Sequence, residues 1–179
     1  MHKISFLQSH PIQYYSPLYD ALEKDSRVEF KMYYCSDYGL SKDGKRYHPE
    51  FGELPNWNLD LVEGHSHEIL SNRSFRKGLF KGFFGLMNFS IYSKLKKDRP
   101  DILLIVGWNY FTLVWAILCC KLLGIKIYLR GDNTLNFDNK LSSIKKKLKH
   151  FSYGNFLFPL YNKVCYVGEN NKNFFRAYK

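Results

Sequence analysis

A chain of 179 residues that is 45% hydrophobic and 18% aromatic carries enough apolar material for one domain with a large core, which excludes an intrinsically disordered segment. Its net charge of +11 calls for an anionic partner, whether nucleic acid, a phospholipid surface or a phosphorylated substrate. Cys35, Cys119, Cys120 and Cys165 form no CxxC pair and no histidines fall at metal-ligand spacing, so no metal is expected.

The start, MHKISFLQ, has one lysine and then a strand too short for a secretory signal, so a cytoplasmic protein is expected. Lys3 to Gln8 reads as a first strand that enters the loop SHPIQYY, Ser9 to Tyr15. Ser16 followed by Pro17 predicts a helix start with a side-chain cap, and Leu18, Ala21 and Leu22 give the expected buried stripe. Arg27 to Tyr34 is a second strand, with Val28, Phe30 and Met32 alternating with charged neighbours. From Ser36 to Ser66 the pattern dissolves into a polar, aromatic run without a period, as in a long binding loop. Glu68 to Leu70 is a short third strand. In the following SNRSFRKGLFKGFFG, Arg73, Arg76, Lys77 and Lys81 interleave with Phe75, Phe80, Phe83 and Phe84, and a helix from about Leu86 to Lys97 stops before Pro100.

The stretch from Asp101 to Asp132 organises the chain. Ile102 to Cys120 is uncharged for about nineteen residues, long enough to cross a bilayer. Two compact apolar runs, Ile102 to Val106 and Ile125 to Leu129, instead bracket one helix length, Tyr110 to Leu123, that closes on Gly124. That succession is a βαβ unit, and strands apolar throughout suit a parallel sheet covered on both faces. Polar Asn109 and Thr112 and the mid-run Gly107 favour the sheet over lipid. Adjacent Cys119 and Cys120 in this helix read as reduced core thiols.

Lys140 to Phe151 is amphipathic, with Leu141, Ile144, Leu148 and Phe151 opposite its lysines. Lys163 to Val167 is a last strand and Glu169 to Tyr178 a last helix. Without an internal repeat or linker, residues 1–179 form one α/β domain, a Rossmann-like doubly wound parallel sheet of about six strands in three α/β/α layers. The last element stops at Lys179 with no tail, as expected of a chain cut at a domain edge.

Ligands of open α/β sheets collect beyond the carboxyl ends of the strands, where the strand order reverses. Those ends carry His10, Gln13 and Tyr14, then Trp108 and Asn109, then Arg130, Gly131 and Asp132, and last Gly168 and Glu169. Polar and aromatic groups gathered there suit a sugar, bound by stacking and hydrogen bonds. Each has a structural alternative: His10-Pro11 shaping a turn, Trp108 capping the core, Arg130 and Asp132 forming an ion pair. The first strand is followed by Ser-His-Pro rather than GxGxxG, and there is no P-loop or serine nucleophile elbow. The basic clusters lack RNA-recognition or zinc-finger signatures, so no nucleic-acid partner is expected.

The segments HPIQYYSPLYDALEK, PDILLIVGWNY with GIKIYLRGDN, and KVCYVGENNKNFFRAY together resemble the N-terminal half of group 1 (GT-B fold) glycosyltransferases, over almost the whole chain and in the expected order. The resemblance implies an acceptor-binding domain, with His10, Gln13 and the Arg130–Asp132 segment lining the acceptor side of a cleft. It implies that the nucleotide-sugar donor and the family's paired glutamates belong to a C-terminal partner domain, so no cofactor is expected on this one. Many relatives carry a glycine-rich loop where this chain has His-Pro-Ile-Gln, which separates it from donor-phosphate contact. The implied reaction is glycosyl transfer to a glycan or lipid-linked acceptor in cell-surface polysaccharide assembly, with His10 the nearest candidate base and the isolated fragment inactive. Such enzymes often work at the inner membrane face. Arg73, Arg76 and Lys77, and Lys145, Lys146 and Lys149, are accordingly expected to face an anionic membrane, against the alternative that the 140–151 helix packs on the sheet with its lysines solvated. A non-catalytic module docking on a membrane or partner is the alternative to an enzyme domain.

Overall fold

Strands that are apolar on both sides are satisfied only inside a covered sheet, and the computed structural model, which describes residues 1–40, 46–48, 52–54, 61–136 and 142–178, places them there. Six strands, β1 (His2–Gln8), β2 (Val28–Tyr34), β5 (His67–Ile69), β6 (Ile102–Val106), β7 (Lys126–Arg130) and β8 (Lys163–Cys165), pair in the order β5-β2-β1-β6-β7-β8. Every pairing in this sheet is parallel. A separate antiparallel pair, β3 (Arg46–His48) and β4 (Gly52–Leu54), lies within the long 36–66 connection. In chain order the six strands run third, second, first, fourth, fifth, sixth. This is a doubly wound sheet, and its order reverses between β1 and β6.

Alternation along β1 divides the interior into two clusters. Phe6 joins Phe30, Met32, Tyr34 and Leu104 on one face of the sheet, whereas Leu7 joins Leu103, Ile105, Ile127 and Leu129 on the other. The first face is covered by α1 (Ser16–Glu23) and the second by α2 (Ile91–Asp98) and α3 (Phe111–Leu123). Helices α4 (Ser143–Ser152) and α5 (Glu169–Ala177) follow β7 and β8. The chain is thus a Rossmann-like α/β domain.

The uncharged run is divided as its glycines predict. β6 ends at Val106, Gly107 turns the chain at φ +81°, and α3 stops where Gly124 adopts φ +72° and its amide donates to the carbonyl of Cys120. Among the described residues no helix is long and apolar enough to cross a membrane. Cys119 and Cys120 are buried free thiols, held at raised pKa values of about 11 and about 12 by burial.

Three expectations change. On α1 the buried ring is Tyr19, stacked on Phe30 with Tyr15, just before the helix, beside it; Leu22 packs half-buried on the same cluster as expected, while Leu18 is 41% exposed and Ala21 faces solvent. Ser16 does not cap that helix, because its hydroxyl donates to the carbonyl of Leu61 at 3.2 Å. The helix expected from Leu86 begins at Ile91, since Leu86 and Asn88 are engaged elsewhere. Thr112 Oγ1 lies 2.9 Å from the Leu86 carbonyl oxygen and 2.8 Å from Asn88 Oδ1, and Asn88 Nδ2 donates to the carbonyls of Cys35 and Leu70.

Candidate functional site

Gln8 closes β1 beside the reversal point of the sheet. Its side chain is buried, Oε1 accepts from the Tyr19 hydroxyl at 2.5 Å, and Nε2 has no hydrogen-bond partner among the described residues. A buried amide donor left unpaired is costly and invites a polar ligand or water.

The loop that follows divides the carboxyl edge in two. On one side His10 Nδ1 lies 2.9 Å from the Ser9 hydroxyl, and its ring meets Tyr38 edge-on at 5.5 Å. On the other, the Tyr14 and Tyr15 rings lie 4.5 Å apart and the Arg130 guanidinium sits over the Tyr15 ring at 4.4 Å. The Tyr14 ring is 64% exposed beside this cation. Its hydroxyl ionises above its ordinary range, first through burial, then through Tyr15 and the Asp132 carboxylate, with Arg130 opposing. Tyr14 and Arg130, two of the residues picked from the sequence, therefore adjoin the same Tyr15 ring, and exposed Asp132 follows two residues after Arg130. No carboxylate of the described residues lies within ion-pairing distance of Arg130, so it and Asp132 do not form a closed pair.

The remaining predicted positions are distributed differently. Gln13 is half-buried on the turn into α1, and Asn109 is exposed after β6. Trp108 stands apart from the open rim. It is only 7% exposed, lies nearly parallel to Phe174 at 6.2 Å, and its indole N–H donates to the Tyr153 hydroxyl at 3.0 Å. Gly131 is buried against it, and a Cβ there would fall 2.9 Å from the indole, so only glycine fits. Glu169 is exposed and paired with Lys172 at 2.9 Å.

A hollow of about 370 Å³ opens at the carboxyl ends of β2 and β5, between Ser36, Asp37, Asn72 and Lys77. Its walls depend on residues that sequence reasoning missed. Asn72 donates to the Gly85 carbonyl and accepts from the amides of Ser74 and Met87, and Asn88 joins the ends of β2 and β5 to Thr112 at the start of α3. For Asn88 the available signal was a lone asparagine among Leu86, Met87 and Phe89; Asn72, between Ser71 and Arg73, gave none. Among the described residues no group of three or more His, Cys, Asp or Glu side chains could hold a metal ion.

Arg73, Arg76 and Lys77 are exposed, as is Lys145, while Lys146 is half-buried and Lys149, expected to face a membrane, instead lays its ammonium over the Tyr153, Phe174 and Tyr178 rings at 5.2, 5.4 and 5.4 Å. Lys140 and Leu141 lie outside the described residues. The packing alternative for the 140–151 helix is corrected. Helix α4 buries none of its side chains, and Ile144 and Leu148 are 80% and 65% exposed because nothing of the described chain covers their side.

Compared with known proteins, the chain matches no family model and no curated protein.

Proposed function

We propose that this domain is the acceptor-binding half of a GT-B glycosyltransferase, acting on a glycan or lipid-linked acceptor in cell-surface polysaccharide biosynthesis. The observation that carries the reading is the convergence of Tyr14 and Arg130 on the Tyr15 ring at the carboxyl edge, with Asp132 two residues after Arg130, next to the strand whose last residue, Gln8, holds an unpaired amide. Two of the motif segments that resemble the family, HPIQYYSPLYDALEK and GIKIYLRGDN, supply these residues, and the strand order reverses between β1 and β6, beside Gln8, where ligands of such sheets collect.

In this reading the exposed Tyr14 ring stacks on a sugar face, Asp132 accepts from sugar hydroxyls, and Arg130 donates to ring or anionic substituents. His10, on the same loop but on the Tyr38 side of it, is the proposed base, and takes the proton only of an acceptor hydroxyl that reaches across that loop from the Tyr14 side. The nucleotide-sugar belongs to a second domain, whose dipoles would offset the departing diphosphate.

The test is an NMR titration of the 179-residue chain with a panel of neutral and acidic oligosaccharides, and separately with UDP. Shifts confined to Tyr14, Arg130 and their neighbours with a saccharide, and none with UDP, are expected. The same chain releases no nucleotide from a UDP-sugar. Turnover, or saccharide shifts that map elsewhere, overturns the proposal. One observation favours a second reading, a non-catalytic docking module: the uncovered face of α4. Failure of every saccharide to shift the Tyr14 region would decide for it.

A further inference from the structure

β8 is the outermost strand of the sheet and pairs only with β7, so among the described residues its other edge is uncovered. Beside that edge the segment 153–160 leads from α4 into β8, and α5 follows the strand. Gly154 brings this segment close to the end of α5, since a Cβ there would fall 2.9 Å from the Tyr178 carbonyl oxygen. The space they enclose with β8 is a cavity of about 690 Å³, within the roughly 300–1,000 Å³ of small-ligand sites.

Rings make its walls. Phe158 and Phe175 meet at 5.4 Å with their planes 63° apart, and Phe158 meets Tyr178 edge-on at 6.2 Å. Tyr166 adds a ring that is 51% exposed. Tyr161 is buried in the wall, and its hydroxyl has no hydrogen-bond partner among the described residues, a cost that a ligand or water would relieve.

The charge at the cavity has one sign. Lys163, Lys172 and Arg176 line it, and no aspartate or glutamate does. Lys163 turns its ammonium over the Tyr128 ring at 5.6 Å, and Tyr128 packs with the cluster on the α1 side of the sheet. Lys172 and Arg176 stand four residues apart on α5 and so share one face of that helix. Lys172 lies 2.9 Å from exposed Glu169 and 5.4 Å from the Tyr166 ring. No carboxylate of the described residues is within ion-pairing distance of Arg176. A guanidinium without a counter-charge suits a carboxylate or phosphate, which it holds by two parallel N–H bonds, and the rings beside it suit a flat apolar body. We propose that this cavity binds a small aromatic molecule bearing an anionic group, its rings against Phe158, Phe175 and Tyr166 and its charge on Arg176 and Lys172. The inference goes beyond the sugar-binding reading and uses none of its residues, so either fails alone.

The experiment is an NMR titration of the 179-residue chain with four probes: naphthoate, naphthalenemethanol as its neutral analogue, octanoate as an anion without a ring, and inorganic phosphate. Naphthoate is expected to shift the amides around Phe158, Tyr166 and Arg176 to saturation, and to bind at least tenfold more tightly than each of the others. Arg176→Gln with Lys172→Gln should lower the naphthoate affinity about tenfold and leave naphthalenemethanol unchanged, whereas Tyr166→Ala should weaken both. These positions are exposed or half-buried, and thermal melts of the variants verify folding. Absence of naphthoate shifts, shifts that map to the outer faces of α3 and α4, or binding no tighter than that of the neutral analogue overturns the proposal. Octanoate binding as tightly as naphthoate also overturns it and assigns the cavity to an aliphatic anion, and equal binding of phosphate reduces it to a site for a free anion.

Discussion

Arg130 at the end of β7 places its guanidinium 4.4 Å from the ring centroid of Tyr15, which lies before α1, and so ties the loop after the first strand to the carboxyl end of β7. Contacts of this kind stabilise by about 1 kcal/mol, more where water is excluded. The same cation is the group that opposes the upward shift of the Tyr14 hydroxyl. Arg130→Met therefore raises the Tyr14 ionisation further, away from the usual value of about 10. Ultraviolet difference titration of Arg130→Met, with Tyr14→Phe to assign the signal, checks this. An unchanged or lowered Tyr14 ionisation would show that Arg130 does not act on the ring.

Asn88 joins three elements from a fully buried position. Its side chain bonds the Cys35 and Leu70 carbonyls and Thr112, and its own amide donates to Thr112 Oγ1 at 2.9 Å. Asn88→Ala leaves the two buried carbonyls of Cys35 and Leu70 without their donor, while the Thr112 hydroxyl keeps the Leu86 carbonyl and the backbone amide of residue 88, and a loss of about 3 kcal/mol in urea unfolding is expected. A cost as small as that of a surface substitution would refute this role.

Acid should act through the cluster around Lys31, which lies 2.6 Å from Asp98 and 3.3 Å from Glu68, with Lys94 also on Glu68 and the Tyr33 hydroxyl on Asp98. Burial pushes both carboxyls up, but the hydrogen bonds from Lys94 and Lys31 to Glu68, and from Lys31 and Tyr33 to Asp98, outweigh it and leave both below their usual range. A depressed carboxyl contributes stability that is present above its unfolded value of about 4 and lost as pH falls through the folded value. Asp98→Asn should cost about 2 kcal/mol at neutral pH and flatten the decline below pH about 4, measured by urea unfolding across pH. An acid limb as steep as in the parent chain would count against it.

Where one residue pattern has one physical solution, the sequence already contains it. Ile102–Val106 is a strand with the bounds its run of branched residues predicts, and α3 ends on Gly124 because a left-handed residue is needed there. The approach of Arg130 to the first loop was legible too, since a parallel sheet brings its carboxyl ends to one edge. Trp108 was a different matter. The sequence left it two readings, the rim or a cap on the core, and the packing of Phe174 from the last helix decided for the core.

What the sequence determined by itself was local: the period of each segment, its stops, and hence six parallel strands alternating with helices. Tertiary structure decided which apolar faces find a partner. Tyr19, not Leu18, is buried on α1, and Phe111, Leu122, Ile144 and Leu148 share the spacing of core residues yet remain at least partly open. Periodicity records that a face is apolar, but burial requires another element within contact distance, and that is a property of the packed chain rather than of any segment of it.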